Sequence, residues 1–238
     1  MQKTNTESLE KIKKNHAIES KIKYPKQILI FKSASIKQKI VDFANNTWHL
    51  KASREADIDN YLPLEIAWIT PDQQTAIHYI EDWYLEDGTV YPFSLKTPYL
   101  ILEGKNIEKA VLLVRSFFDI YSDEEIIQWV QNATDSDDLI NAVVHLGYAA
   151  PENFDSRFFS SLKTALSNSD TWVRLAAVWA SGCIGWCELQ EVLKNISVTD
   201  SSDDVQLLAS QMLEVSNIEG ENRLLTVLDK LQDTICSL

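Results

Sequence analysis

The sequence predicts an α+β fold in which two textures follow one another along the chain. Between residues 26 and 118, short apolar runs bounded by turn residues alternate with helical periods. From residue 119 onward the apolar spacing is helical only, and the helices come in pairs. Within those pairs one stretch recurs at intervals of 35 and then 32 residues, which marks a repeated helix-pair unit.

Residues 1–25 are polar and basic, with Lys11, Lys13, Lys14, Lys21 and Lys23, and read as an arm. The segment 26–118 follows as a small α+β domain of about four strands and two helices. "KQILIF" (26–31) is a short apolar run suited to a buried strand, and "SIKQKIVDFANN" (35–46) places Ile36, Ile40 and Phe43 on one helical stripe. "LEIAWIT" (64–70) and "QTAIHYIEDWYL" (74–85) are strands joined by Pro71 and Asp72, residues that favour a tight turn. "EDGTVY" (86–91) offers another hairpin turn, and "PYLILEG" (98–104) another strand. "NIEKAVLLVRSFF" (106–118) returns to helical period through Ile107, Ala110, Val111, Val114 and Phe117.

In the third segment, 119–238, "SDEEIIQWVQNA" (122–133) opens with Ser122 and has Glu125 three residues on, the pattern of a capping box. "SDDLINAVVHLG" (136–147) stops at Gly147, and "DSRFFSSLKTALSN" (155–168) puts Phe158, Leu162 and Ala165 or Leu166 on one stripe. "SDTWVRLAAVWASGCIGW" (169–186) runs through small and apolar residues at helical spacing until two glycines, Gly182 and Gly185, stop it. "ELQEVLKNI" (188–196), "SDDVQLLASQMLEV" (202–215) and "NRLLTVLDKLQDTI" (222–235) complete the helices. Superposing 135–147 on 170–182 matches Asp135 with Asp170, Ala142 with Ala177 and Gly147 with Gly182. A third copy places Asp203, Val205 and Ala209 near Asp170, Val173 and Ala177.

The string Asp170, Val173, Arg174, Ala177, Ala180, Gly182 resembles the second-helix signature of HEAT-like (armadillo-type) repeats. The unit at 135–147 lacks the Val-Arg pair, and the third copy has Gln206 in place of the arginine and no closing glycine. The resemblance covers 119–238 and implies a short right-handed α-solenoid of helix pairs that serves protein–protein contact. It also implies that Arg174 reaches an acidic cap in the adjacent unit, with Asp203 or Asp204 as the candidate. Independently, Ala176, Ala177 and Ala180 leave room for a neighbouring helix to approach closely.

Net charge is −13, divided as +3 over residues 1–25, −2 over 26–118 and −14 over 119–238. The last segment repels nucleic-acid phosphate and attracts a basic partner. No apolar run approaches the roughly 18 residues of a membrane span, and the N-terminus lacks the apolar core of a secretory signal. Three cysteines make a disulfide framework improbable, and the expected address is cytoplasmic.

Chemistry-bearing clusters are few. His78, Glu81, Asp82, Glu86 and Asp87 crowd one stretch, and imidazole with carboxylates can bind a metal or transfer protons. Strand alternation, however, sets His78 and Asp82 on one face and Glu81 on the other, and a polar edge strand explains the same residues. Cys183 and Cys187 are four apart, but Gly185 between them and the lack of a nearby His favour small buried side chains over a zinc site. Cys236 reads as a free thiol. His145 reads as an interior or groove imidazole, and no nucleotide-cradling glycine motif occurs. The expectation is no catalytic residue, no metal and no cofactor.

The acidic residues Asp135, Asp137, Asp138, Asp170, Asp203 and Asp204 fall at predicted starts of second helices, where carboxylates complement the helix dipole. Helix starts of one class align along one edge of a solenoid, so the same residues also form an acidic rim. Trp172, among the first residues of its helix, is the candidate aromatic anchor. These features predict a non-catalytic module that binds a basic protein through its acidic face, an inhibitor or immunity-type protein being the sharper form. The alternative is a HEAT-like chaperone-lyase or other enzyme with a polar site around residues 78–87.

Overall fold

In the computed structural model, which describes residues 24–57, 62–82 and 93–216, five strands form one antiparallel sheet. Strands β1 (Lys26–Ile30), β2 (His49–Arg54), β3 (Leu64–Ile69), β4 (Thr75–Glu81) and β5 (Tyr99–Gly104) lie in the order β1-β5-β4-β3-β2. Eight helices accompany them among the described residues. Two belong to the sheet-bearing part, α1 (Lys37–Thr47) and α2 (Ile107–Phe117). The others are α3 (Asp123–Asn132), α4 (Ser136–Ala149), α5 (Ser156–Leu166), α6 (Thr171–Ile184), α7 (Cys187–Thr199) and α8 (Asp203–Ser216). The chain is a mixed α+β protein. The basic arm up to residue 23, the 83–85 end of the predicted strand, the 86–91 turn and the 222–235 helix lie outside the described residues.

The predicted turn at Pro71 and Asp72 joins β3 to β4. Asp72 Oδ1 accepts from the Thr70 hydroxyl at 2.6 Å and the Gln74 amide at 3.1 Å, which closes the turn with a local side chain. Strand β2 stands where the sequence predicts none. Every residue of "HLKASR" is exposed, so it carries no apolar alternation, and backbone pairing to β3 holds it at the sheet edge.

Alternation in β4 decides which side each residue faces. Ile77 and Tyr79 join Trp68, Leu100 and Leu102 beneath α1 and α2, whose Ile40, Ala44, Val111 and Val114 complete that core. On the opposite face Ile30, Ile80 and Tyr99 share a second core with Val143, Tyr148 and Trp179 from the helices beyond residue 119. The sheet thus carries helices on both faces, and the two parts of the chain bury apolar surface against each other.

Helix α4 packs on α6, and α6 on α8; α3, α5 and α7 each pack on the helix that follows. Contrary to expectation Gly147 and Gly182 do not end their helices, whereas Gly185 does. Helix α4 continues to Ala149 and α6 to Ile184, where Gly185 at φ +65° makes the cap. The two glycines are contact points. A Cβ on Gly147 would lie 2.8 Å from that of Ala180, and one on Gly182 would collide with the sulfur of Met212. Ala142, Ala177 and Ala209 are all fully buried in the same row. Small residues let the helices close together there.

Candidate functional site

The starts of α4, α6 and α8 are linked in series. Asp135 caps α4 by accepting from the Asp138 amide at 2.9 Å, and Asp170 caps α6 by accepting from the Trp172 amide at 2.8 Å. The Ser136 hydroxyl donates to the other Asp170 oxygen at 2.6 Å, tying α4 to α6. Arg174 then ties α6 to the segment before α8. Its Nε and Nη2 donate to the two oxygens of Asp200, each at 2.9 Å, and its Nη1 donates to the carbonyls of Asn168 and Ser169. The arginine therefore reaches an acidic residue ahead of the next helix start, but that residue is Asp200. Asp203 and Asp204 lie in the first turn of α8 instead.

All six candidate carboxylates, Asp135, Asp137, Asp138, Asp170, Asp203 and Asp204, belong to these starts. Among the described residues none of them forms an ion pair with a cation. The acids at the starts of α3 and α5 differ. Lys32 lies 2.6 Å from Glu125, and Arg157 lies 2.6 Å from Asp155 and 4.0 Å from Glu124. Lys32, together with the backbone and hydroxyl of Ser122 in the predicted capping box, brings Glu125 down to about 2. Ser136 and the Trp172 amide likewise hold the Asp170 carboxyl below its ordinary range, so it stays charged in mild acid.

Trp172 is 47% exposed, unusual for a residue whose next ten helical neighbours are buried. It lines a cleft of about 350 Å³ with Phe93, Ser136, Asp137, Ile140 and Asp170. Three of the predicted partner-binding residues therefore converge on one concavity. The other tryptophans of this part are packed: Trp179 is fully buried, Trp186 donates to the carbonyls of Pro151 and Glu152, and Trp129 donates to Asp138 at 2.7 Å. A larger groove of about 770 Å³ runs beside α5 and α7 past Arg174 and Asp200, whose charges are already matched to each other.

The residues of the predicted polar site near β4 part company. His78 Nδ1 lies 2.7 Å from Glu65, which also pairs with Arg54 at 2.9 Å across the edge of the sheet. Glu81 accepts from the Tyr79 hydroxyl at 2.6 Å and pairs with Lys37. Asp82 turns toward the helices, accepting from the Leu95 amide at 3.1 Å and the Tyr99 hydroxyl at 3.4 Å, with the Tyr148 hydroxyl also in reach. Glu86 and Asp87 lie outside the described residues. Among the described residues no three His, Cys, Asp or Glu side chains are grouped to hold a metal ion.

Sequence reading missed the setting of Asp82. Burial raises its carboxyl to about 6, against the donors that favour its charge. Only its nearness to the apolar run of β4 hinted at this. Of the interior and groove placements open to His145 the structure has the interior one, with Nδ1 donating to the Asn141 carbonyl at 2.8 Å; burial lowers it to about 4, so it is neutral at neutral pH. Cys183 lies in the last turn of α6 and Cys187 begins α7, on either side of the Gly185 cap, so they do not share a helix; Cys236 lies outside the described residues. No described helix is long and apolar enough to cross a membrane. Compared with protein-family models, with curated proteins and with solved structures, the chain matches none.

Proposed function

We propose that this chain is a non-catalytic protein-binding module, built on HEAT-like helix pairs in a short right-handed solenoid, whose acidic edge docks a basic protein. The carrying observation is the contrast between two sets of helix starts. Acids at α3 and α5 are paired with Lys32 and Arg157, whereas none of the six carboxylates at α4, α6 and α8 has a cation within ion-pair distance among the described residues; the charge nearest Asp170, Arg174, is paired with Asp200. Unmatched charge of one sign on neighbouring helix ends repels itself, and a partner of opposite charge relieves that repulsion. An inhibitor or immunity-type role, in which the edge covers a cationic site on a basic enzyme in the cytoplasm, is the sharper form.

Partner capture from the native host tests this reading, comparing the intact chain with a variant carrying Asp135→Asn, Asp137→Asn, Asp203→Asn and Asp204→Asn. A basic partner retained by the first, lost by the second and released as salt rises is the expected result. Equal retention by both, unaffected by salt, overturns the proposal.

A further inference from the structure

The cleft between α4 and α6 has walls and a rim of different chemistry. Phe93, Ile140 and the indole of Trp172 supply the apolar surface; Ser136, Asp137 and Asp170 supply the polar one. The volume, about 350 Å³, is at the small end of ligand-binding cavities, which run from roughly 300 to 1,000 Å³. The Ser136 hydroxyl and the Trp172 amide each donate to one Asp170 oxygen, and the Val173 amide also bears on the carboxylate, which fixes the group in place while its two oxygens keep capacity for a further donor. Asp137 offers its carboxylate from the exposed first turn of α4 and pairs with no cation among the described residues.

Resting on the reading of this edge as a docking surface, we propose that the cleft receives one arginine side chain of the partner, its guanidinium between the Trp172 ring and the Asp137 and Asp170 carboxylates. A wholly apolar anchor would strip water from two carboxylates and give them no partner. An anion would be repelled. Of the two cationic side chains, lysine brings a compact, strongly hydrated charge suited to one acceptor at a time. Arginine brings a plane that lies flat on an indole while its forked N–H groups reach two carboxylates, and its methylenes match Phe93 and Ile140.

The test is a titration of the full chain with three capped tripeptides, Gly-Arg-Gly, Gly-Lys-Gly and Gly-citrulline-Gly, followed by NMR. Trp172→Phe identifies the Trp172 indole signal. Both Trp172 and Asp137 are exposed enough for substitution without loss of fold, which dispersion of the remaining signals verifies. The arginine peptide is expected to saturate, with a dissociation constant on the order of millimolar, shifting the Trp172 indole and the Ser136 and Asp137 amides. It should bind at least fivefold tighter than the lysine peptide, and Asp137→Asn should weaken it about tenfold. The citrulline peptide, of similar shape and no charge, should leave these signals in place. Equal response to citrulline, equal response to lysine, shifts centred on Asp203 and Asp204, or no shift at tens of millimolar each overturn the arginine cleft. Partner capture that still depends on the four aspartates would then leave the acidic edge standing, and its independence of them would remove both.

Discussion

Arg174 and Asp200 form a bidentate pair, with both N–H···O distances 2.9 Å and side-chain exposures of 9% and 8%. Burial works against the Asp200 carboxylate, and the guanidinium together with the Ser202 and Ser201 amides outweighs it, holding the group below its ordinary range. Because Arg174 also donates to the carbonyls of Asn168 and Ser169, one side chain satisfies the turn before α6 and the turn before α8. Removing either partner leaves a buried charge uncompensated, which costs about 3–5 kcal/mol. Arg174→Ala and Asp200→Ala should each lower the urea midpoint by that equivalent, and the double variant should fall short of their sum. A group whose folded pKa is depressed stabilises above its unfolded value, and that contribution fades as pH falls through the folded value. The stability difference between the native chain and Asp200→Asn should therefore narrow in acid.

Gly147 and Gly182 bear a different kind of constraint. In an open helix, glycine to alanine gains about 1 kcal/mol in propensity. Here the new methyl meets Ala180 in one case and Met212 in the other, and overpacking of this kind costs about 1–3 kcal/mol. Gly147→Ala is expected to destabilise, and Ala180→Gly added to it should recover part of the loss despite its own poor propensity. A thermal-denaturation cycle on the four proteins reads the coupling. Additive effects would mean that the two residues do not share the contact.

These glycines show what could and could not be read beforehand. The recurrence of Ala142, Ala177 and Ala209 was legible, and all three are fully buried in helices that pack α4 on α6 and α6 on α8. The glycines twelve residues after Asp135 and Asp170 were visible too, but a glycine that ends a helix and one that admits a neighbour look alike in one dimension. The arginine's reach was expected, while its target was not. Asp200 sits in an inter-helix turn, where it also accepts from the Ser202 amide at 2.9 Å, and such turn geometry has no periodic signal. The edge strand β2 escaped because pairing alone, with no buried face, holds it. Within the candidate site, Trp172, Asp137 and Asp170 were nameable, whereas Phe93 and Ile140 joined them only through tertiary packing.

Asp82 gives the chain a second acid-sensitive element of opposite sign. Its carboxyl is raised to about 6 by burial between β4 and the helices, with Tyr99 and Tyr148 against it. A group raised above its unfolded value, about 3.9 for Asp, contributes stability fully present below that value and lost as pH rises through the folded one. Between about pH 4 and 6 the Asp82 contribution should thus decline, then stay level above. Asp82→Asn abolishes the titration. The stability difference between variant and native chain, measured by urea unfolding at a series of pH values, should shift in favour of the variant across that window and plateau beyond it. A difference constant with pH would mean that Asp82 titrates as an ordinary exposed carboxylate.

The seam that Asp82 occupies also decides whether the helical part can stand alone. Ile30, Ile80 and Tyr99 from the sheet, with Phe93 and Leu95, lie in the same core as Val143, Val144, Tyr148 and Trp179. The rings of Tyr99 and Tyr148 are 5.2 Å apart, and those of Phe93 and Trp179 are 5.8 Å apart. Deleting residues 1–118 uncovers one side of α4 and the Trp179 ring, a contiguous apolar surface that a stable monomer rarely shows. In the proposed solenoid it also exposes the end of the helix stack, which needs a cover to remain soluble. The fragment 119–238 should bind a hydrophobic dye and elute from a sizing column as aggregate, where the full chain elutes as a discrete species. Substituting Tyr148 and Trp179 in the fragment with Gln and Lys should restore part of its solubility, because the defect is the uncovered face. A fragment that stays monomeric and dye-free without those changes would show that the helices close their own core and that the sheet merely leans on it.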